Sequence, residues 1–288
     1  MNPPPDNSAR RQRGFSLVEL MIALVIGLIL TAAVGYVFIS SRQAFRSNEG
    51  MARLQENTRS AVLMVNTVIR MAGYLPDPLN YIDPTTVFVD PQLAVFGGAA
   101  SGLSAKYGLT PTITTGGDYI EVSYVGSGDS SGNADGYTKD CIGGSVSNLQ
   151  RATNLFFISK STHDSVPSLY CAVAKTTFPG NPPAALTFGT PQPLVYGVTK
   201  LTITYGVDSD GDQAVDYYTT ASYLGAANSG KWKTIKSVQL VLTTESPDTI
   251  TAADATVGSP DYAVSTSSGA RLQRQLTQTV ELRNRLIP

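Results

Sequence analysis

The sequence contains little histidine, cysteine or charge, and each shortage narrows the functions it could have. It has one histidine and two cysteines in 288 residues, which argues against zinc clusters and histidine-based catalytic triads. Charged residues make up 15% of the chain, where about 25% is usual in a soluble domain. The 21 Lys and Arg residues nearly balance the 22 Asp and Glu residues. We therefore expect neither an enzyme nor a protein with nucleic acid as a direct ligand.

A long apolar segment near the start is the most distinctive feature of the sequence. Residues 15–40 are apolar except for Glu19 and a few small hydroxyl residues. About 20 apolar residues suffice to cross a bilayer as a helix, so this segment is predicted to span a membrane. It follows a polar, proline-rich leader, residues 1–14, that carries Arg10, Arg11 and Arg13. These arginines predict that the leader stays in the cytoplasm and that the remainder lies outside it.

Glu19 is a carboxylate inside the predicted span, where it costs roughly 2.5–3.5 kcal/mol unless water or a partner reaches it. One interpretation places Glu19 at the membrane edge, among water and headgroups. The other pairs it with a positive group on a neighbouring subunit. A free amine at Phe15 would be such a group, and it exists only after cleavage at Gly14.

Residues 14–19, Gly-Phe-Ser-Leu-Val-Glu, resemble the class III signal sequence of type IV prepilins and type II secretion pseudopilins. The resemblance implies that a prepilin peptidase cuts after Gly14 and methylates Phe15. It also implies that Glu19 pairs with the N-terminal amine of an adjacent subunit. The inner membrane would hold the protein before assembly.

Further segments resemble the PilW family of minor pilins: residues 40–43, 52–57, 70–74 and 280–285. This resemblance implies a non-enzymatic subunit that primes type IV pilus assembly in a tip complex with other minor pilins and the major pilin. It implies support of twitching motility, adhesion or DNA uptake. The C-terminal domain would be periplasmic and would later lie in the filament at the cell surface. Two alternatives remain, a type II secretion minor pseudopilin and a pilus-tip adhesin.

The periodicity of the remaining sequence predicts an α+β fold. Residues 41–75 continue the helix in amphipathic form, with small and apolar residues at three- and four-residue steps from Ala61 to Ala72. Apolar and polar residues then alternate, as in residues 120–124, 201–207, 238–240 and 280–282, which is typical of half-buried strands. The resulting pilin-like prediction is a long N-terminal helix packed on an antiparallel sheet, with residues 80–288 as an extracytoplasmic β-rich domain. Its long loops include the Gly- and Ser-rich residues 126–136.

Cys141 and Cys171 are the two cysteines, thirty residues apart in the part predicted to lie outside the cytoplasm. An even pair in an oxidising compartment predicts a disulfide. Two free, buried thiols are the alternative.

Four aspartates stand at positions 1, 3, 5 and 9 of one loop: Asp208, Asp210, Asp212 and Asp216. Their spacing resembles the first part of a calcium-binding loop, in which alternate oxygen ligands surround the ion. The position-12 glutamate and the position-6 glycine are absent, because Thr219 and Gln213 stand there. A weak calcium site and a solvated acidic turn both remain open, and no other cofactor is expected.

Overall fold

The computed structural model describes residues 16–76, 87–88, 93–109, 117–160, 166–179, 185–246, 263–265 and 271–285. The chain divides into two compact units, Met1–Glu49 and Gly50–Pro288. The predicted leader, residues 1–14, lies outside the described residues.

The first unit consists, in its described part, of the beginning of helix α1, Leu17–Arg70. Proline is absent from residues 6–75, so no residue in this stretch removes a backbone hydrogen-bond donor from the helix. The most apolar window of α1 has a mean hydropathy of 2.7 and is entirely exposed. By length and composition α1 could cross a membrane, although a signal sequence near the N-terminus meets the same test.

The described residues of the second unit form two antiparallel sheets of five strands each. The first is a meander in chain order: β1 (Val95–Ala99), β2 (Asp118–Val125), β3 (Gln150–Lys160), β4 (Pro167–Thr177) and β5 (Gln192–Tyr196). The second has the order β7-β6-β8-β10-β9: β6 (Val198–Val207), β7 (Tyr217–Thr219), β8 (Ile235–Glu245), β9 (Ala263–Ser265) and β10 (Arg271–Glu281). Two short helices, α2 (Leu103–Tyr107) and α3 (Ala221–Leu224), lie between strands.

One hydrophobic core joins the second half of α1 to both sheets. The helix contributes the predicted stripe of small and apolar residues from Ala61 to Ile69. Polar contacts fix its position, because the Thr58 and Thr244 hydroxyls lie 2.6 Å apart and join α1 to β8. Asn57 Nδ2 also donates to the backbone carbonyl of Tyr196, the last residue of β5, at 3.1 Å.

Helix α1 ends at Arg70, and the chain then joins the first sheet. Gly73 adopts a left-handed conformation with φ 73°, which is a common way to end a helix. Its N–H donates to the Ser123 carbonyl at 2.9 Å, and the Val125 N–H donates to the Tyr74 carbonyl at 2.9 Å. The end of the helix is therefore hydrogen-bonded along β2.

The predicted α+β class is confirmed, with a long N-terminal helix and antiparallel sheets. The predicted strand segments lie in β2, β6 and β8 and at the end of β10. The second unit nevertheless has two sheets, where the sequence led us to expect one. The other strands were not predicted. In β3, for example, residues 151–159 are buried continuously and the sequence does not alternate.

Candidate functional site

The exposed apolar surface of α1 is the first candidate site. In the first unit, large apolar side chains are exposed at many positions from Leu17 to Ile39, and Leu28 is 74% exposed. Glu19 lies in the first turn of the helix and is exposed, next to these side chains. Gly14 and Phe15 lie outside the described residues, so cleavage, methylation and the pairing of Glu19 with an amine remain predictions.

The acidic loop between β6 and β7 is the second candidate site, and Asp208 lies at its base. The Asp208 side chain is nearly buried. Its carboxylate accepts hydrogen bonds from the N–H groups of Gly211 at 2.6 Å and Gln213 at 3.2 Å. Lys236 Nζ on β8 lies 3.6 Å from Asp208 Oδ2, so a cation already faces this carboxylate.

Asp216 closes the loop from the other side. Its Oδ2 accepts hydrogen bonds from both the N–H and the hydroxyl of Ser209, at 2.7 and 2.6 Å. These bonds favour the ionised form and lower the pKa of Asp216 below its ordinary value. The carboxylate is therefore negative throughout the physiological pH range.

Carboxylate oxygens of Asp208, Asp210 and Asp216 all lie within 4.8 Å of one another. Asp212 is not part of this group, and its Oδ1 instead accepts the Ala214 N–H at 2.8 Å. Gln213 has a φ of 73°, the left-handed conformation that the position-6 glycine of a calcium loop favours. The loop thus brings three of the four predicted ligands together around one point.

Cys141 and Cys171 form a disulfide, which confirms the predicted pair and rules out free thiols. Cys171 is buried in β4, and Cys141 lies in the connection between β2 and β3. Beside it, Asp140 accepts the N–H groups of Ile142 and Gly144 and faces Lys175 Nζ at 2.9 Å. The disulfide and these contacts tie the long connection to the first sheet.

A groove between α1 and β10 was not predicted. It has a volume of about 420 Å³, and its apolar part includes Val62 and Leu63 of α1 and Leu276 of β10. Arg59 and Arg274 also line it. The 52% exposure of Leu63 beside the buried Val62 reflects a helix face that the sheet covers only in part. A sequence gives no direct signal of such partial cover.

Two family models match the chain. Residues 155–284 match type IV pilus-assembly protein W (PilW), and residues 9–35 match the prokaryotic N-terminal methylation motif. No curated protein and no solved structure matches it. The methylation motif covers Gly14, Phe15 and Glu19, and the PilW match extends from β3 to beyond β10. The resemblance predicted from the sequence is thereby confirmed.

Proposed function

Because the chain is a type IV pilin-like protein of pilus assembly, matching PilW and the methylation motif, we propose that it is a minor pilin that primes the filament. Prepilin peptidase removes residues 1–14 and methylates Phe15. The subunit then waits in the inner membrane with its second unit in the periplasm. It enters a tip complex with other minor pilins and the major pilin. The observation that carries this proposal is a methylation motif placed directly on a helix with a fully exposed apolar surface.

The exposed first half of α1 supports a role in assembly. A surface of this kind is unstable in water and is covered either by lipid or by other apolar helices. A bundle of such helices would replace lipid contacts with helix contacts as subunits leave the membrane. One Glu19–amine pair at each junction would then fix the register, since an unpaired carboxylate is costly among apolar helices.

The disulfide supports the proposed periplasmic location of the second unit. Disulfides form and persist in oxidising compartments, which include the bacterial periplasm, and are rare in the cytosol. A reporter fused after residue 288 would be active on the periplasmic side if this orientation holds. Activity on the cytoplasmic side would contradict it.

Mass spectrometry of the mature N-terminus tests the proposal directly, in cells with and without prepilin peptidase. We expect a chain that begins at methylated Phe15 and that appears only when the peptidase is present. Gly14→Leu should block processing, and Gly27→Leu is a control within the span, where an added Cβ has no other side chain within 4 Å. An intact leader, or cleavage well after residue 35, would contradict the proposal.

A deletion strain distinguishes a pilus subunit from a secretion pseudopilin. Loss of twitching with intact type II secretion supports the pilus, and the reverse result identifies a pseudopilin. A third phenotype, normal piliation with lost adhesion, would favour the tip adhesin.

We further propose that the acidic loop binds calcium weakly. The proximity of the Asp208, Asp210 and Asp216 carboxylates supports this, while Lys236 beside Asp208 would compete with the ion. Calorimetric titration of the detergent-solubilised chain tests it, with Asp210→Ala and Asp216→Ala expected to remove the heat. Asp129→Ala, in the connection between β2 and β3, is the matched control. Absence of heat at millimolar calcium would refute the site.

A further inference from the structure

The end of the apolar surface of α1 carries two arginines set among aromatic side chains. The exposed apolar residues 17–39 would extend over roughly 35 Å, close to the thickness of a bilayer hydrocarbon core. Arg42 and Arg46 follow roughly 5 and 10 Å beyond Ile39 along the helix. Those distances correspond to the headgroup layer of a membrane that α1 spans.

Arg42 is held by an aromatic ring. Its Cζ lies 4.4 Å from the centroid of Phe38, which is itself 56% exposed. Stacking against a ring orients a guanidinium while leaving N–H groups for an anion. Arg46 lies four residues later on the same side of the helix, and Phe45, between them in sequence, is 70% exposed. The result is a doubly cationic surface with apolar rings beside it.

The charges around this pair are unbalanced. Like charges four residues apart on a helix repel each other. Residues 20–48 contain no Asp or Glu, and the nearest acid in the sequence is Glu49, three residues after Arg46. A phosphate that accepts hydrogen bonds from both guanidinium groups would remove the repulsion. Arginine suits this role because its planar group can bind phosphate through two parallel hydrogen bonds.

We propose that Arg42 and Arg46 bind the phosphate of an anionic phospholipid where α1 leaves the bilayer, with Phe38 and Phe45 packed beside its glycerol and upper acyl carbons. This inference rests on the proposed membrane-spanning role of α1. Once residues 1–14 are removed, Arg42 and Arg46 are the only Lys or Arg residues up to position 52. The pair is then the cationic anchor of the processed subunit, and assembly into a filament must break this contact.

Spin-labelled lipids provide the test. The processed chain is reconstituted in phosphatidylcholine bilayers with a trace of spin-labelled phosphatidylcholine or phosphatidylglycerol. Electron paramagnetic resonance then gives the fraction of motionally restricted lipid and the preference for each headgroup. We expect a severalfold preference for phosphatidylglycerol that falls at high salt. Arg42→Gln with Arg46→Gln should abolish it, whereas Arg53→Gln with Arg59→Gln removes the same charge further along α1 and should preserve it.

The outcomes separate this inference from the function on which it rests. Absence of restricted lipid with either label would refute the membrane span and, with it, the anchor. Restricted lipid with no headgroup preference, or with a preference that survives in the Arg42→Gln, Arg46→Gln protein, would overturn the anchor alone. If that protein instead loses self-association in pure phosphatidylcholine bilayers, measured by energy transfer between labelled subunits, the arginines contact a second subunit. That result would also overturn the anchor.

Discussion

The two halves of α1 belong to one continuous helix but have opposite relations to their surroundings. In the first unit the helix buries none of its large apolar side chains, whereas in the second unit a stripe from Leu54 to Ile69 is buried in the core. The same helical backbone therefore occurs in both environments. The side chains on the faces of the helix distinguish the two halves. In the proposed function the first half is covered by lipid or by other subunits, whereas the second half packs within its own domain.

The largest expected effect on stability tests this comparison with one substitution in each half of α1. Leu54→Ala removes a fully buried side chain, and we expect the second unit to lose about 3–5 kcal/mol of unfolding free energy. Leu30→Ala, at a position 61% exposed, should leave that free energy unchanged. Denaturant unfolding can be followed by the fluorescence of Trp232, the single tryptophan, which is buried against Phe96 and Tyr205. Equal losses in the two proteins would contradict the comparison.

Removing the disulfide should have the next largest effect and should be confined to the second unit. Cys141→Ala with Cys171→Ala opens a loop of thirty residues, and loop-closure entropy predicts a loss of about 3–4 kcal/mol. Neither cysteine lies in the first unit. In lipid, a peptide covering residues 15–49 should therefore show the same helical circular dichroism that the first unit contributes in the cysteine-free variant. An unchanged midpoint in denaturant would show that the connection between β2 and β3 is held by its hydrogen bonds alone.

Tyr205→Phe should stabilise the second unit slightly, in contrast to most core substitutions. The hydroxyl of Tyr205 is buried and has no hydrogen-bond partner among the described residues. Its removal spares the desolvation of an unpaired polar group, and we expect a gain of up to about 1 kcal/mol. Tyr124→Phe is the matched control, because the Tyr124 hydroxyl donates to the Lys139 carbonyl at 2.7 Å and its loss should be destabilising. The same sign for both substitutions would contradict the expectation.

The smallest effect concerns pH and again involves only the second unit. Desolvation raises the pKa of Asp118 above its usual 3.8, although the Ile203 N–H and Lys200 partly oppose the shift. The folded state therefore binds the proton more tightly than the unfolded state. Stability from this group is greatest below about pH 3.8 and falls as pH rises through the raised pKa. Asp118→Asn should remove this pH-dependent contribution, which we expect to be small because the group is partly solvated. The unfolding free energy of both proteins is measured between pH 3 and 7. The same dependence of this free energy on pH in the variant and the parent would contradict the prediction.

The helix and the strands with clear alternation could be predicted from the sequence because each depends on local spacing. The disulfide could be predicted because the chain has only two cysteines and the part that contains them was expected to lie in an oxidising compartment. Strand β3 could not, because it buries polar residues that tertiary contacts satisfy. Asn154 is an example, since its Oδ1 accepts the N–H of Cys141 at 2.8 Å from a separate loop. Such a partner cannot be identified from alternation along one strand.

In the acidic loop, too, spacing along the sequence was not enough to predict which side chains meet. Spacing alone placed all four aspartates around one point, yet Asp212 turns to the Ala214 N–H. The local hydrogen bond of an aspartate to a residue two positions later competes with a shared ligand position. The aromatic contact of Arg42 with Phe38 was not predicted either, although their four-residue spacing on a helix would have permitted it.

The strand order of the two sheets also bears on the order in which they can form as the chain emerges during synthesis. All strands of the first sheet have emerged once Tyr196 is available, and each pairs with its predecessor in the chain. The second sheet is different, because β8 pairs with β6 and β10 and not with the strands next to it in the chain. It therefore lacks its second neighbour until β10, Arg271–Glu281, has arrived, after β9. Pairings between distant segments form slowly, and unpaired strand edges promote aggregation. The arrival of β10 is therefore the stage that ends the exposure of the unpaired edge of β8 to aggregation.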